Sequence, residues 1–179
     1  MSSDAGATYG KAAASDALDA LARLAEWGEP KRPVRLCVAC LADFEALAAL
    51  GDGLAVVTEL GGAVRGQAGL LLSDATAGEL LRRLVGERPK GSLDALARSA
   101  LCEAGNIAAS AASGALGHLA GGVVIPSIPR LAALLDDALD PELLPEGGRR
   151  ARHPVYLVET ELGEPGAEVT VTFVWVPAA

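Results

Sequence analysis

Apolar residues recur along this chain with two spacings, one typical of helices and one typical of strands. An apolar residue every three or four positions predicts helices over 15–28, 73–85 and 92–120. Each of these segments begins at a serine that can cap a helix and ends at a glycine. Alternation and short apolar runs predict strands at 34–41, 54–60, 64–72, 123–128, 155–162 and 169–176.

The predicted elements occur twice in the same order. Residues 15–90 and 91–179 each contain a helix, a Pro-x-x-Pro segment at a strand and then a hairpin. Such a degenerate duplication predicts a single α/β (α+β) domain, in which helices pack on one face of a mostly antiparallel sheet. Residues 1–14 are small and polar and are expected to form a flexible tail. An acidic stretch at 134–144 and a loop at 145–154 precede the last hairpin.

Composition excludes several classes of function. The chain has 15 Lys and Arg against 23 Asp and Glu and only 3% aromatic residues. An acidic surface with few rings repels phosphate backbones and anionic lipids, so neither nucleic acid nor a membrane is an expected partner. The first residues contain no apolar targeting segment, and the cytoplasm is the expected location. Cys37 and Cys40 lie in a predicted strand without a second pair, so no metal site is predicted.

The helix predicted at 92–120 carries the candidate chemistry. At about 100° per residue, five polar residues spaced i, i+4, i+7, i+11 and i+14 fall on one narrow stripe of an otherwise apolar helix. Asn106 is the only asparagine of the chain, and asparagine is unfavourable inside a helix because its amide competes for backbone hydrogen bonds. The pattern alone also fits a solvated face, or small residues where another helix crosses. The stripe consists of Ser99, Glu103, Asn106, Ser110 and Ser113.

The spacing Ser99-x-x-x-Glu103-x-x-Asn106, followed by Pro129 near a strand, resembles the signature of the CheC/CheX/FliY phosphatases. These proteins hydrolyse the aspartyl phosphate of the response regulator CheY. The string from Ala100 to Ser110 is similar to the helix of that family, and the duplicated organisation is similar over most of the chain. The resemblance implies a CheC-like domain with a pseudo-two-fold axis and long helices on an antiparallel sheet. It also implies a cytoplasmic hydrolase of chemotaxis or another two-component pathway, which acts on a phosphorylated CheY-like receiver domain.

The resemblance also implies roles for individual residues. Asn106 would orient a water molecule for attack on phosphorus, and Glu103 would pair with a lysine of the regulator. The serines Ser99, Ser110 and Ser113 would line the docking surface, while Pro129 would have a structural role beside the helix. No cofactor is expected on this chain, because the Mg²⁺ of the reaction belongs to the response regulator.

The first half of the sequence departs from the family pattern. Its predicted helix reads Asp19-Ala-Leu-Ala-Arg23 and onward to Trp27 without an asparagine, whereas CheC-type members often carry the motif twice. One site per chain is therefore expected, as in CheX, which acts as a dimer; the sequence leaves a homodimer open. The alternative function is a non-catalytic CheC-like module that binds a receiver domain or another signalling partner.

Overall fold

The computed structural model describes residues 3–27, 35–40, 53–86, 93–134, 154–163 and 168–178. The described part contains three helices, α1 (Ser3–Leu24), α2 (Asp74–Val85) and α3 (Ala95–Ala120). It also contains the strands β1 (Arg35–Cys40), β2 (Gly53–Gly62), β3 (Gly66–Ser73), β4 (Val124–Pro126), β5 (Arg130–Leu134), β6 (Pro154–Leu162) and β7 (Val169–Pro177).

All of the described strand pairs are antiparallel, and the order across the sheet is β1-β6-β7-β3-β2-β4. Strand β5 also pairs with β2, so β4 and β5 lie end to end along the same edge. The central pair is β3 with β7, and each hairpin, β2-β3 or β6-β7, receives the first strand of the other half at its outer edge. This arrangement confirms the predicted α/β fold with a pseudo-two-fold axis.

The main core lies between one face of the sheet and the three helices. Helices α1 and α3 pack along each other, and α3 also contacts β2, β3 and β4. The strands contribute alternate residues to this core, as expected for a sheet covered by helices. Residues of the opposite face, including Ala55, Leu71 and Val155, are buried as well, although they are not part of this cluster.

Side-chain and glycine caps fix the ends of α2 and α3. The Ser73 hydroxyl accepts a hydrogen bond of 3.1 Å from the Thr76 amide, and the Asp94 carboxylate accepts one of 2.8 Å from the Ala97 amide. Gly121 ends α3 in the left-handed conformation, with φ of 66°. The predicted ends of α2 are therefore confirmed, whereas α3 begins at Ala95 and not at Ser92.

The prediction of a flexible tail over residues 1–14 is wrong for the described residues 3–14. Residues from Ser3 onward form the first half of α1, and Ala13 and Ala14 are completely buried. Apart from Tyr9, which stacks on Trp175 of β7, this segment packs through glycine and alanine, so it has little apolar periodicity. A Cβ atom added to Gly10 would lie 3.0 Å from Tyr156 Cβ, so the helix backbone rests directly on β6.

Two further differences concern strands. Residues 130–134 form β5, which the sequence did not predict, and its register places Leu131 beside Val56. The first hairpin turns at residues 63–65, one position beyond the Gly61-Gly62 pair. The segments predicted as an acidic stretch and a loop lie, apart from Leu134 and Pro154, outside the described residues.

Replacement of Gly10 tests the corrected N-terminal segment. In Gly10→Val the new side chain overlaps with Tyr156, and we expect a loss of about 1–3 kcal/mol in the free energy of unfolding, measured by urea denaturation. The control Lys11→Val introduces the same side chain at the next, exposed position and should cost about 0.5 kcal/mol. Equal, small effects of both substitutions would mean that residues 3–14 do not pack on the sheet.

Candidate active site

Helix α3 presents most of the predicted polar stripe on its exposed side. Ser99, Glu103 and Ser110 are exposed, and Asn106 is partly buried. Glu103 and Asn106 are separated by about 4.5 Å along the helix axis and about 60° around it. The carboxylate and the carboxamide are therefore neighbours on one surface.

Ser113 does not belong to this exposed surface, so its assignment to partner binding is wrong. It is only 4% exposed, and its hydroxyl donates a hydrogen bond of 2.7 Å to the Ala109 carbonyl. The reason is its angular position: Ser113 lies about 40° from Ser99 on the side of the helix that faces the sheet. Asn106 is displaced by about 20° in the same direction, which explains its intermediate burial.

The residue before Asn106 brings the helix against the sheet. Gly105 is buried, and a Cβ atom built on it would overlap with Val56 Cγ1, lie 3.1 Å from Val56 Cβ and lie 3.8 Å from Pro129 Cβ. The backbone of α3 at Gly105 therefore contacts the Val56 side chain of β2, and any other residue at position 105 would push the helix and the strand apart. Pro129 lies beside this contact, in the segment between β4 and β5.

Glu103 and Asn106 are available to a partner. Neither side chain has a hydrogen-bond or ion-pair partner among the described residues. Glu103 is also the only charged residue of the stripe, so the surface presents one negative charge among uncharged polar groups. A carboxylate and an amide held in this way offer two kinds of hydrogen-bond acceptor and one donor group.

The other half of the domain contains the same scaffold with different chemistry. Strands β2 and β6 occupy equivalent places in the sheet order, and each supports a buried helix glycine: Val56 contacts Gly105, and Tyr156 contacts Gly10. The residue after the glycine is Asn106 in α3 and Lys11 in α1. Residues 8–11 of the first half, and not the segment from Asp19 to Trp27, therefore correspond to the motif in α3.

Gly105 was not singled out from the sequence, although a signal was present. A glycine within a long, otherwise alanine- and leucine-rich helix costs about 1 kcal/mol relative to alanine, and such a position often marks a close backbone contact. Its place between Glu103 and Asn106 links that contact to the site.

The described residues provide no group of three metal-ligating side chains. No described helix is long and apolar enough to cross a membrane.

Similarity to known proteins is found in three dimensions and not in sequence. No family model and no curated protein matches the chain. FliY of Thermotoga maritima is 18% identical, with a TM-score of 0.70 over 96% of this chain and 87% of that one. A CheC-like superfamily protein from Shewanella sp. PV-4 is 14% identical, with a TM-score of 0.66 over the full length of both chains.

A third structure shows a member of this fold class with a partner. The CheX–CheY complex of Borrelia burgdorferi, which contains BeF3 and magnesium, matches with 16% identity and a TM-score of 0.57, over 92% of this chain and 96% of that one. The resemblance stated from the sequence is therefore confirmed at the level of the fold: the chain has the fold of the CheC, CheX and FliY chemotaxis proteins.

Substitution of Gly105 tests the helix–sheet contact under the site. In Gly105→Ala, the methyl group collides with Val56, and we expect a loss of about 1–3 kcal/mol in the free energy of unfolding, measured by urea denaturation. The second substitution Val56→Ala removes the colliding Cγ1 atom and should recover part of this loss in the double variant.

Gly114→Ala is the matched control for this experiment. It lies in the same helix, is exposed and has no atom within 4 Å of its added methyl group. We expect it to stabilise the protein by about 0.5–1 kcal/mol, because alanine is the better helix former. Stabilisation by Gly105→Ala as well would contradict the close contact.

Proposed function

We propose that this protein hydrolyses the aspartyl phosphate of a CheY-like receiver domain, with Glu103 and Asn106 as the acting residues. The observation that carries the proposal is their placement: a carboxylate and a carboxamide lie side by side on the exposed surface of α3, without partners among the described residues. The fold supports it, because the CheX of the CheX–CheY complex has the same architecture.

The reaction needs little from the phosphatase beyond a well-placed water molecule. An aspartyl phosphate is a reactive acyl phosphate, and the receiver supplies Mg²⁺ and the cationic groups that stabilise the leaving carboxylate. The water oxygen attacks phosphorus, the bond from phosphorus to the carboxylate oxygen breaks, and the proton of the water is lost to phosphate or solvent. Aspartate and inorganic phosphate are the products.

Asn106 is suited to orienting that water. Its amide NH₂ group donates to the water oxygen, or its carbonyl accepts a hydrogen from it, so the attacking lone pair is directed in line with the breaking bond. Because α3 rests on β2 at Gly105, the amide is carried by a rigid helix and not by a loop. The contribution is one of positioning, since a carboxamide does not remove the proton.

Glu103 acts in docking. Its exposed carboxylate is free to pair with a lysine of the receiver domain, and a charge-assisted hydrogen bond of this kind sets the register of the two proteins as well as adding affinity. The exposed hydroxyls of Ser99 and Ser110 lie along the same surface and contact the partner at the rim. Pro129 has a structural role, because it packs beside α3 at Gly105.

The site is complete in one chain, so one receiver domain is bound per protomer. A homodimer is compatible with this arrangement as long as the outer side of α3 stays accessible. The pathway can be chemotaxis or another two-component system, because the residues proposed to act contact features that receiver domains share.

The first prediction concerns turnover. Asn106→Ala should lower kcat for phosphate release from a phosphorylated receiver domain by about 10²-fold or more, because a misplaced water loses the in-line geometry. The receiver's own rate of dephosphorylation is subtracted. Lys11→Ala, at the corresponding position of α1, is the control and should remain within about twofold of the wild type.

A chain that binds the receiver without accelerating phosphate release would show that the non-catalytic alternative is correct. In that case Asn106→Ala would leave the affinity for the receiver domain unchanged, and neither the wild type nor the variant would accelerate phosphate release.

The second prediction concerns docking. Glu103→Lys should raise KM by about tenfold or more, because it replaces an attractive charge pair with repulsion, whereas kcat at saturation should change little. Added salt should reduce the difference between variant and wild type, since exposed charges are screened. A fall in kcat with unchanged KM would assign Glu103 to the chemical step instead of docking.

A further inference from the structure

Ile128 is the most exposed large apolar residue of the described part of the chain, at 88%. A single exposed isoleucine is common on protein surfaces and needs no function. Ile128 differs from such residues because hydrogen bonds fix the backbone next to it and because it lies near the proposed site.

Hydrogen bonds between Ser127, the residue before Ile128, and Glu59 of β2 fix the loop that carries Ile128. The Ser127 amide donates to the Glu59 carbonyl at 2.8 Å, and the Glu59 amide donates to the Ser127 hydroxyl oxygen at 3.0 Å. The Ser127 hydroxyl also donates to the Ile128 carbonyl at 3.3 Å. The side chain is therefore presented from a fixed backbone, so that little conformational entropy is lost if a partner covers it.

The same loop flanks the proposed site. Ile128 precedes Pro129, whose Cβ atom would lie 3.8 Å from a Cβ atom on Gly105, the residue before Asn106. Adding the distances between neighbouring Cα atoms, the two Cα–Cβ bonds and this Cβ–Cβ distance places the Cα atoms of Ile128 and Asn106 no more than about 15 Å apart. A protein interface of ordinary size covers about 800 Å² on each partner, a patch of roughly 16 Å radius. Ile128 therefore lies within the radius of an interface centred on Asn106, close to its edge.

Burial of Ile128 would also benefit Glu103. An exposed ion pair is weakened by water, whereas apolar residues at the edge of an interface exclude water and strengthen the polar contacts within it. Glu103 is the only charge of the exposed stripe, so the affinity that it supplies depends on such shielding.

We propose that Ile128 is a specificity-determining anchor for the receiver domain and packs against an apolar position beside that domain's phosphorylation site. This inference rests on the proposed function for the identity of the partner. It assigns Ile128 to binding and not to the chemical step.

Ile125 offers a matched control. It is 63% exposed and lies three residues away in β4, but its buried neighbour Val124 faces the core, so alternation directs Ile125 to the opposite face of the sheet. Ile128→Ser and Ile125→Ser thus remove the same apolar side chain from the segment beside Pro129 and from the sheet face opposite α3.

The test measures binding and turnover separately, using the receiver domain that the wild-type chain binds most tightly within a panel. The dissociation constant is measured by titration with that domain in the presence of Mg²⁺ and BeF3 as the phosphoryl mimic, and kcat and KM with the phosphorylated domain. We expect Ile128→Ser to raise both Kd and KM about tenfold with kcat within twofold, Ile128→Val to recover most of the affinity, and Ile125→Ser to match the wild type.

The inference is overturned if Ile128→Ser binds within twofold of the wild type, or if Ile125→Ser weakens binding equally. Binding that depends on Ile128 without faster phosphate release would uphold the inference and reject the hydrolase. Phosphate release that is accelerated equally with and without Ile128 would uphold the hydrolase and reject the inference about Ile128. A wild-type chain that binds no receiver domain would reject both. Thermal unfolding of the three variants checks that each is folded, as expected for exposed positions.

Discussion

The contact between Gly105 of α3 and Val56 of β2 is the interaction on which the arrangement of the site depends. A side chain at position 105 would separate helix and sheet, because its Cβ atom would overlap with Val56. The two residues proposed to act, Glu103 and Asn106, lie on either side of this contact along the helix. Their orientation relative to the sheet edge, and hence to Pro129 and Ile128, is therefore set by the packing of backbone on strand.

The duplicated architecture separates the scaffold from the chemistry. Both halves place a helix glycine against an equivalent strand, Gly105 on Val56 and Gly10 on Tyr156, so the close contact serves the fold in each half. Only α3 adds a carboxylate and a carboxamide at the neighbouring positions; α1 has Thr8 and Lys11 there. The fold thus provides a platform for such a site, and the residues beside the glycine decide whether the site is present.

Elements with strong local signals could be predicted from the sequence. Helix α2 has a serine cap and a terminal glycine, the last hairpin alternates apolar and polar residues, and the stripe on α3 follows helical spacing. The start of α1 could not be predicted, because a helix segment that packs through glycine, alanine and the single aromatic Tyr9 has no conspicuous apolar periodicity. Strand β5 is too short for a clear pattern and exists through its pairing with β2.

The polar residues of α3 show that a helical projection alone does not predict which side chains are exposed. Angular spacing places Ser113 with the other polar residues, but the position of the sheet decides that it is buried while Ser110 is exposed. Likewise, a serine near the sheet satisfies its hydroxyl within the helix, at the Ala109 carbonyl, without a partner. Which of several aligned residues can reach another protein is thus a property of the packed structure.

The central claim is that α3 aims Asn106 at a phosphoryl group on another protein. A crystal structure of this chain bound to a receiver domain with Mg²⁺ and BeF3 measures this directly. We expect the Asn106 amide within about 3 Å of a water molecule in line with the aspartate–beryllium bond, and Glu103 within hydrogen-bond distance of a receiver lysine. A complex in which the exposed side of α3 faces away from the BeF3 group would contradict the claim.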